Sequence, residues 1–120
     1  MTTVEMEHIT IPDQTEVKIE LTLTSKVNFT AVSAQRRVSK LMLDRVGSLL
    51  YGERPNLVAG ERLVWRVPIW LGLPSIGPVE QVGTLDVDTH TGEILFTQDI
   101  LEKIKERGND LAKRATSEAG

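Results

Sequence analysis

The sequence predicts an α+β domain in which an antiparallel sheet carries its helices on one side. Segments starting near residues 17, 63 and 79 alternate apolar and polar side chains with the period of two that is typical of strands. Residues 31–50 and 100–115 instead repeat their apolar side chains at threes and fours, as helices do. The predicted order is an N-terminal strand or hairpin, one long helix packed on one face, a three-stranded meander and a C-terminal helix.

Length and composition restrict the class of protein. The 120 residues fit a single domain over residues 1–120, with a disordered tail expected from about residue 115. The net charge of −3 argues against general attraction to nucleic acid or to anionic membranes, and the absence of cysteine excludes disulfides and thiolate sites. The start, MTTVEMEH, lacks the features of a signal peptide, and no apolar run is long enough to span a bilayer, so we expect a cytoplasmic location and no membrane.

The N-terminal part of the chain predicts a strand with one buried face. Its apolar residues alternate with polar ones, and they are Val17, Ile19, Leu21 and Leu23. A less regular alternation in residues 4–11 predicts a short strand before it, joined through the turn PDQT.

The long helix is predicted to begin after Asn28 or Thr30, either of which can cap it, and to run to about Tyr51. Gly52 then supplies a C-terminal stop, and Pro55 cannot continue the helical ladder. The apolar stripe that faces the core comprises Ala31, Ala34, Val38, Leu41, Met42, Val46, Leu49 and Leu50.

Three further strands follow as a meander. The first has a fully apolar face formed by Leu63, Trp65, Val67, Ile69 and Leu71; the second has Val79, Gly83, Leu85 and Val87. The turn THTG leads into a third run, EILFT, in a register that places Val87 opposite Ile94 and Leu85 opposite Phe96. Asp99 and Glu102 then form a capping pair for the C-terminal helix, whose middle is weakened by Gly108.

The stretch DVDTHTGEIL offers the one candidate cluster of metal ligands. Asp86, Asp88 and His90 are spaced two apart, so they lie on one face if the strand stays straight, with Glu93 nearby. A calcium loop that began at Asp86 would have Thr91 where glycine is needed and Thr97 where a bidentate glutamate is needed.

A hairpin interpretation of the same stretch accounts for more residues. Gly92 supplies a positive φ, and Asp88 accepts hydrogen bonds from the amides of the turn. The hairpin is therefore the favoured interpretation, with a metal or small-molecule site at residues 86–93 as the alternative.

Other chemistry is not indicated. The serine, histidine, aspartate and glutamate residues do not form any known catalytic motif. The sequence therefore predicts no enzyme, no catalytic residue and no cofactor. The basic residues Arg36, Arg37, Lys40 and Arg45 form a candidate nucleic-acid surface, although an acidic chain makes a solvated helix face the favoured interpretation.

The two tryptophans are an odd number of residues apart on one predicted strand, so their side chains point to opposite faces of the sheet and one face cannot bury both. Trp65 belongs with the core residues of its strand, whereas Trp70 lies on the other face. The apolar residues expected beside it on that face are Val64, Pro68, Val82 and Leu95. Such a patch is typical of an interface, unless another part of the chain covers it.

The segment LVWRVPIWLGLPSIGPVEQVGTLDVDTHTGEIL, with the apolar helix before it, resembles the helix-plus-meander unit of PepSY-type domains. The resemblance covers about a third of the chain and implies an inhibitory or binding role. The segment is also similar to small uncharacterised bacterial proteins with a V-D-x-x-T-G-E-I turn, some of them paired with toxins. That likeness implies a protein partner in the cytosol and self-association.

The function hypothesis from the sequence is a non-enzymatic cytosolic interaction module, homodimeric and antitoxin-like or regulatory. A metal or small-molecule binder at residues 86–93 is the first alternative. A nucleic-acid-binding regulator that uses the basic residues of the long helix is the second.

Overall fold

The computed structural model describes residues 27–119. They form a helix, five antiparallel strands and a second helix: α1 (Ala31–Arg45), β1 (Leu50–Gly52), β2 (Asn56–Ala59), β3 (Leu63–Leu73), β4 (Gly77–Asp88), β5 (Ile94–Leu95) and α2 (Gln98–Ala119). The predicted α+β class is confirmed. The N-terminal strand or hairpin predicted before α1 lies outside the described residues.

The central strand β3 organises the sheet. β4 pairs with β3 along one edge, and β1 and β2 pair one after the other with the opposite edge. β5 continues the sheet beyond β4, with Val87 opposite Ile94 as the sequence predicted. β1 and β2 were not predicted, because only seven residues in all form them and both were assigned to the helix end or to a loop.

Both helices pack against the same face of the sheet. The core between them contains Ala34, Val38 and Met42 of α1, Leu101, Ile104 and Leu111 of α2, and Val67, Ile69, Leu71, Leu85 and Val87 of the central strands. Trp65 packs against this core as predicted. The opposite face of the sheet, which carries Val64, Arg66, Pro68 and Trp70 of β3, is called the outer face below.

Helix α1 begins as predicted and ends six residues earlier than predicted. Thr30 is its N-cap, and the Thr30 hydroxyl accepts a hydrogen bond from the Ser33 amide at 3.1 Å. The amides of Val46 and Gly47 both donate to the Met42 carbonyl, at 2.9 and 2.8 Å, and this closes the helix.

Leucine and tyrosine at residues 50 and 51 fit a helix or a strand equally well by composition. The backbone pairing of Leu50 with Leu71 decides for the strand, so the predicted continuation of α1 to Tyr51 is wrong. Gly52 therefore has another role than a helix stop. A Cβ at Gly52 would lie 2.9 Å from Cγ1 of Val67 and 3.1 Å from the Gln35 carbonyl oxygen, so glycine permits β1 to approach α1.

Helix α2 differs from its prediction at both ends. The Thr97 hydroxyl accepts a hydrogen bond from the Ile100 amide at 3.3 Å, so Thr97 caps the helix, and Asp99 instead forms an ion pair with Lys103. The helix continues to Ala119 through the residues expected to form a tail. Gly108 lies against Leu50, where a Cβ would be 3.2 Å from the Leu50 Cδ2.

Candidate functional site

The turn after β4 is built around the carboxylate of Asp88. One carboxylate oxygen accepts hydrogen bonds from the amides of His90 and Thr91, at 2.8 and 3.0 Å, and Arg62 lies 3.4 Å from the other. The Thr91 amide lowers the pKa of Asp88 most, with further lowering by the His90 amide and the Arg62 charge, against the opposing effect of burial. Asp88 therefore holds the turn as an ionised acceptor.

Thr89 joins this turn to the start of α1. Its side chain is fully buried, and both its amide and its hydroxyl donate to the Leu63 carbonyl, at 3.2 and 3.1 Å. Its carbonyl accepts from the amides of Asn28 and Phe29, at 2.8 and 3.2 Å. The segment that precedes α1 is therefore hydrogen-bonded to the end of the sheet.

Gly92 completes the same contact. It has a φ of 76°, and a Cβ there would lie 2.5 Å from Cζ of Phe29. The guanidinium carbon of Arg37 lies 4.5 Å from the centroid of the Phe29 ring, and Arg37 also donates to the Gly92 carbonyl at 3.2 Å. The turn that the sequence offered as a ligand cluster thus packs on the N-terminal end of α1.

The predicted metal ligands each have a protein partner. Asp86 accepts two hydrogen bonds from the Arg66 guanidinium, at 2.9 and 3.2 Å, and Asp88 is bound to the turn amides. The Nδ1 atom of the His90 imidazole lies 3.3 Å from the amide nitrogen of the Asn28 side chain. Over residues 27–119, no three His, Asp or Glu side chains are placed so that they could hold one metal ion.

Three of the four candidate nucleic-acid residues also have partners within the chain. Arg37 stacks on Phe29, Lys40 forms an ion pair with Asp44, and Arg45 donates to the Gln98 side chain at 3.1 Å. Arg36 is exposed on α1. Two of the four positive charges, Arg37 and Arg45, therefore hold α1 to its surroundings, whereas the Lys40 ion pair lies within the helix.

The predicted interface residues fall in three places. Trp70 and Pro68 are half-buried on the outer face, beside β1. Val64 lies on the same face at the other end of β3, where it is buried, and half-buried Leu95 lies at that end as well. Val82 belongs to the core beneath the helices.

A β-bulge explains the position of Val82. Ile69 pairs with Gly83 and Trp70 pairs with Gln81, so Val82 has no residue opposite it on β3. One extra residue reverses the alternation of side chains as far as the second register shift, which lies between Leu71 and Gly72. The prediction placed Val82 beside Trp70 by assuming that side chains alternate regularly along β4, and this alternation is interrupted at the bulge.

The outer face contains an aromatic residue that the sequence did not assign to it. Tyr51 pairs with Trp70 across β1 and β3, and its ring covers Gly72, where a Cβ would lie 2.9 Å from the Tyr51 Cε1. We call Tyr51, Pro68, Trp70 and Gly72 the aromatic patch. The sequence would have placed Tyr51 beside Trp70 only if residues 50–52 had been predicted as a strand. A tyrosine at the end of a helix has no fixed position relative to Trp70.

The aromatic patch is only partly covered within the described residues, and its own side chains are uncharged. Its neighbours on the face are Thr84, opposite Pro68, and Gln81, opposite Trp70. Burial raises the pKa of the Tyr51 phenol above its ordinary value, and the hydrogen-bonded Glu53 carboxylate raises it further. Such a surface is suited to recognition by burial of apolar area.

Comparison with protein-family models, with curated proteins and with solved structures gives no match for this chain. Within residues 27–119, neither helix is long and apolar enough to cross a membrane.

Proposed function

We propose that this chain is a non-enzymatic interaction module that forms a homodimer by packing the aromatic patches of two copies against each other. The observation that carries the proposal is the pairing of Tyr51 with Trp70 on the outer face, where both side chains keep part of their surface exposed to solvent. Tyrosine and tryptophan, together with arginine, are enriched at the energetic centres of protein interfaces.

The charge of the patch favours a second copy as the occupant. In a two-fold dimer each patch faces its own duplicate, so a charged centre would meet a like charge. Tyr51, Pro68 and Trp70 are uncharged, and so are Thr84 and Gln81 beside them; the Glu53 carboxylate next to the patch is hydrogen-bonded to the Tyr51 phenol. A cytoplasmic setting is part of the proposal, supported by the absence of cysteine from the 120 residues.

The engagement of the other candidate groups also supports a binding role. The carboxylates of Asp86 and Asp88 bind Arg66 or backbone amides, and Arg37 and Arg45 of α1 bind Phe29, Gly92 or Gln98. A regulatory or antitoxin-like role would use the same patch toward a different protein, and the experiment below separates that case from self-association.

Light scattering after size-exclusion chromatography, at several protein concentrations, tests the proposal. We expect a particle of twice the 13.3 kDa chain mass, and Trp70→Ala should weaken its association at least ~10-fold. Thr84→Arg is a second variant that removes no core contact and places like charges opposite each other at the dimer contact. Leu43→Ala, at an exposed leucine of α1, is the control and should leave the mass unchanged.

A wild-type chain that stays monomeric at every concentration would contradict self-association. A dimer that survives both Trp70→Ala and Thr84→Arg would place the interface elsewhere. Circular dichroism of each variant establishes that the fold is retained.

A further inference from the structure

A cavity of about 220 Å³ lies at the C-terminal end of α1, between the loop of residues 46–49, β1 and α2. Its floor contains Leu50 and Leu71, which are paired across β1 and β3 and are buried. Leu49 and Lys105, which also line it, are exposed and mark its mouth. We call it the apolar cavity. It lies on the helix side of the sheet, on the other face from the aromatic patch.

The loop that walls the apolar cavity is held in place by backbone hydrogen bonds. The Leu49 carbonyl accepts from the Gly72 amide at 2.9 Å, and the Gly47 amide donates to the Met42 carbonyl at 2.8 Å. The loop is thus joined both to β3 and to the last turn of α1. A ligand would therefore meet a site that is already formed, as is usual for small-molecule pockets.

Small residues of α2 keep the apolar cavity open. Gly108 and Ala112 line it one turn apart, whereas Leu101 and Ile104, earlier on the helix, fill the core. An unfilled apolar cavity lowers stability in proportion to its volume. A larger apolar residue at position 112 would recover that stability, so alanine at this position is what a space that receives a ligand requires.

The charge at the mouth of the cavity is positive. Among the lining residues, which all belong to residues 27–119, only Lys105 is charged. In this described part of the chain, its ammonium group forms no ion pair with a carboxylate. The Asn109 side chain, one turn further along α2, adds a neutral donor on the same side of the helix. One positive charge and one amide beside an apolar pocket match a carboxylate group with an apolar tail.

The volume of the cavity and the charge of the chain define the ligand further. An apolar cavity of about 150 Å³ holds benzene, so about 220 Å³ has room for a tail of roughly six to eight carbon atoms. A phosphate monoester carries a charge of about −1.5 to −2 at neutral pH. Lys105 would leave part of that charge unbalanced in a chain whose net charge is −3. A monocarboxylate is the better match.

We propose that the apolar cavity binds a monocarboxylate with an aliphatic tail of about six to eight carbon atoms. The tail lies against Leu50 and Leu71, and the carboxylate binds Lys105. This site goes beyond the proposed self-association and does not depend on it, because the aromatic patch lies on the other face of the sheet.

Titration of the full chain with octanoate, followed by methyl NMR and by calorimetry, tests the proposal. We expect saturable binding with a Kd below about 1 mM. The largest shifts should fall on methyl groups that line the cavity, those of Val46, Leu50 and Leu71. The alcohol 1-octanol has the same tail without the charge, and it should bind about 5- to 10-fold more weakly.

Three variants separate the contribution of the tail from that of the charge. Ala112→Leu fills the cavity and should weaken octanoate binding at least ~10-fold without lowering the melting temperature. Lys105→Ala, at an exposed residue, should weaken octanoate binding about 5- to 10-fold and leave 1-octanol binding unchanged. Lys113→Ala, next to Ala112 but outside the cavity lining, is the control and should bind both compounds as the wild type does.

Absence of saturable octanoate binding in the wild type, or binding that Ala112→Leu leaves unchanged, would overturn the site. Equal affinities for octanoate and 1-octanol, or wild-type octanoate affinity in Lys105→Ala, would overturn the carboxylate as its ligand. The Lys105 variant keeps the test decisive if Ala112→Leu does not fold. Self-association is measured separately by the particle mass of Trp70→Ala, so the two proposals fail independently.

Discussion

The indole nitrogen of Trp65 donates a hydrogen bond to the carbonyl oxygen of Phe29, 2.8 Å away. This bond links the core face of β3 to the residue just before the N-cap of α1. Together with the bonds from Asn28 and Phe29 to Thr89, it fixes the position of α1 relative to the end of the sheet. The polar residues of the turn after β4 therefore have a structural role, which the following predictions test.

Gly92→Ala should be strongly destabilising. The substitution puts a Cβ at a φ of 76° and within 2.5 Å of the Phe29 ring, and we expect the free energy of unfolding to fall by about 2 to 5 kcal/mol. Gly77→Ala is the matched control, because its φ is 86° with no atom within 4 Å of the new Cβ. We expect that variant to lose only about 1 to 2 kcal/mol in urea denaturation. Equal losses would contradict the packing of Phe29 on the turn.

Asp88→Asn should destabilise the protein in a pH-dependent way. The folded-state pKa of Asp88 is lowered, so its contribution to stability is present above the ordinary value of 3.8 and is lost as the pH falls through the lowered pKa. At neutral pH we expect the variant to lose about 1.5 to 3 kcal/mol, the usual contribution of hydrogen bonds to a charged group.

Urea denaturation of both proteins at neutral and acid pH measures this effect. The difference in unfolding free energy between wild type and Asp88→Asn should shrink as the pH falls below 3.8. Asp44→Asn, which removes an exposed ion pair with Lys40, is the control and should cost under about 1 kcal/mol. A difference for Asp88→Asn that does not change with pH would contradict its role as an ionised acceptor.

Tyr51 should titrate above its ordinary pKa of 10.0, first because of burial and then because of Glu53. It is the one tyrosine in the 120 residues, so phenolate absorbance reports on it alone. The folded-state pKa is raised, so the stability from this group is present below pH 10 and is lost as the pH rises through the raised value. In the Glu53→Gln variant the titration midpoint of Tyr51 should fall but stay above 10.0, because burial still raises the pKa. A wild-type midpoint at 10.0 would contradict the burial of the Tyr51 ring.

Calcium, manganese and zinc should not change the melting temperature at millimolar concentration. Asp86 already holds Arg66, and Asp88 already holds two turn amides, so a metal ion would have to displace both sets of bonds. Differential scanning fluorimetry with each metal measures this. A saturable rise in melting temperature that Asp86→Asn abolishes would instead establish a site at residues 86–93.

Local sequence patterns were enough to predict the elements whose side chains alternate or repeat over many residues. α1, β3, β4 and α2 each have such a pattern, and the turn at residues 88–93 has the glycine and aspartate that its geometry needs. β1 and β2 have no such pattern. They are short, and their conformation is set by pairing with β3 rather than by their own residues.

The composition of the outer face was harder to predict for the same reason. Trp70 was placed on the correct face by its parity with Trp65. The bulge moved Val82 to the core, and the pairing of β1 brought Tyr51 to Trp70. The positions of Val82 and Tyr51 both depend on which residues of neighbouring strands lie opposite each other. The alternation of apolar and polar residues within one strand does not predict this pairing.

The contacts of Phe29 with Trp65 and Gly92 also have a consequence for synthesis. Residues 31–45 leave the ribosome before residues 65 and 89–92, to which the groups that fix the start of that helix belong. Contacts between distant parts of a sequence form late because the intervening chain must first be brought together. The start of α1 is therefore fixed only after β4 and the turn that follows it have been synthesised.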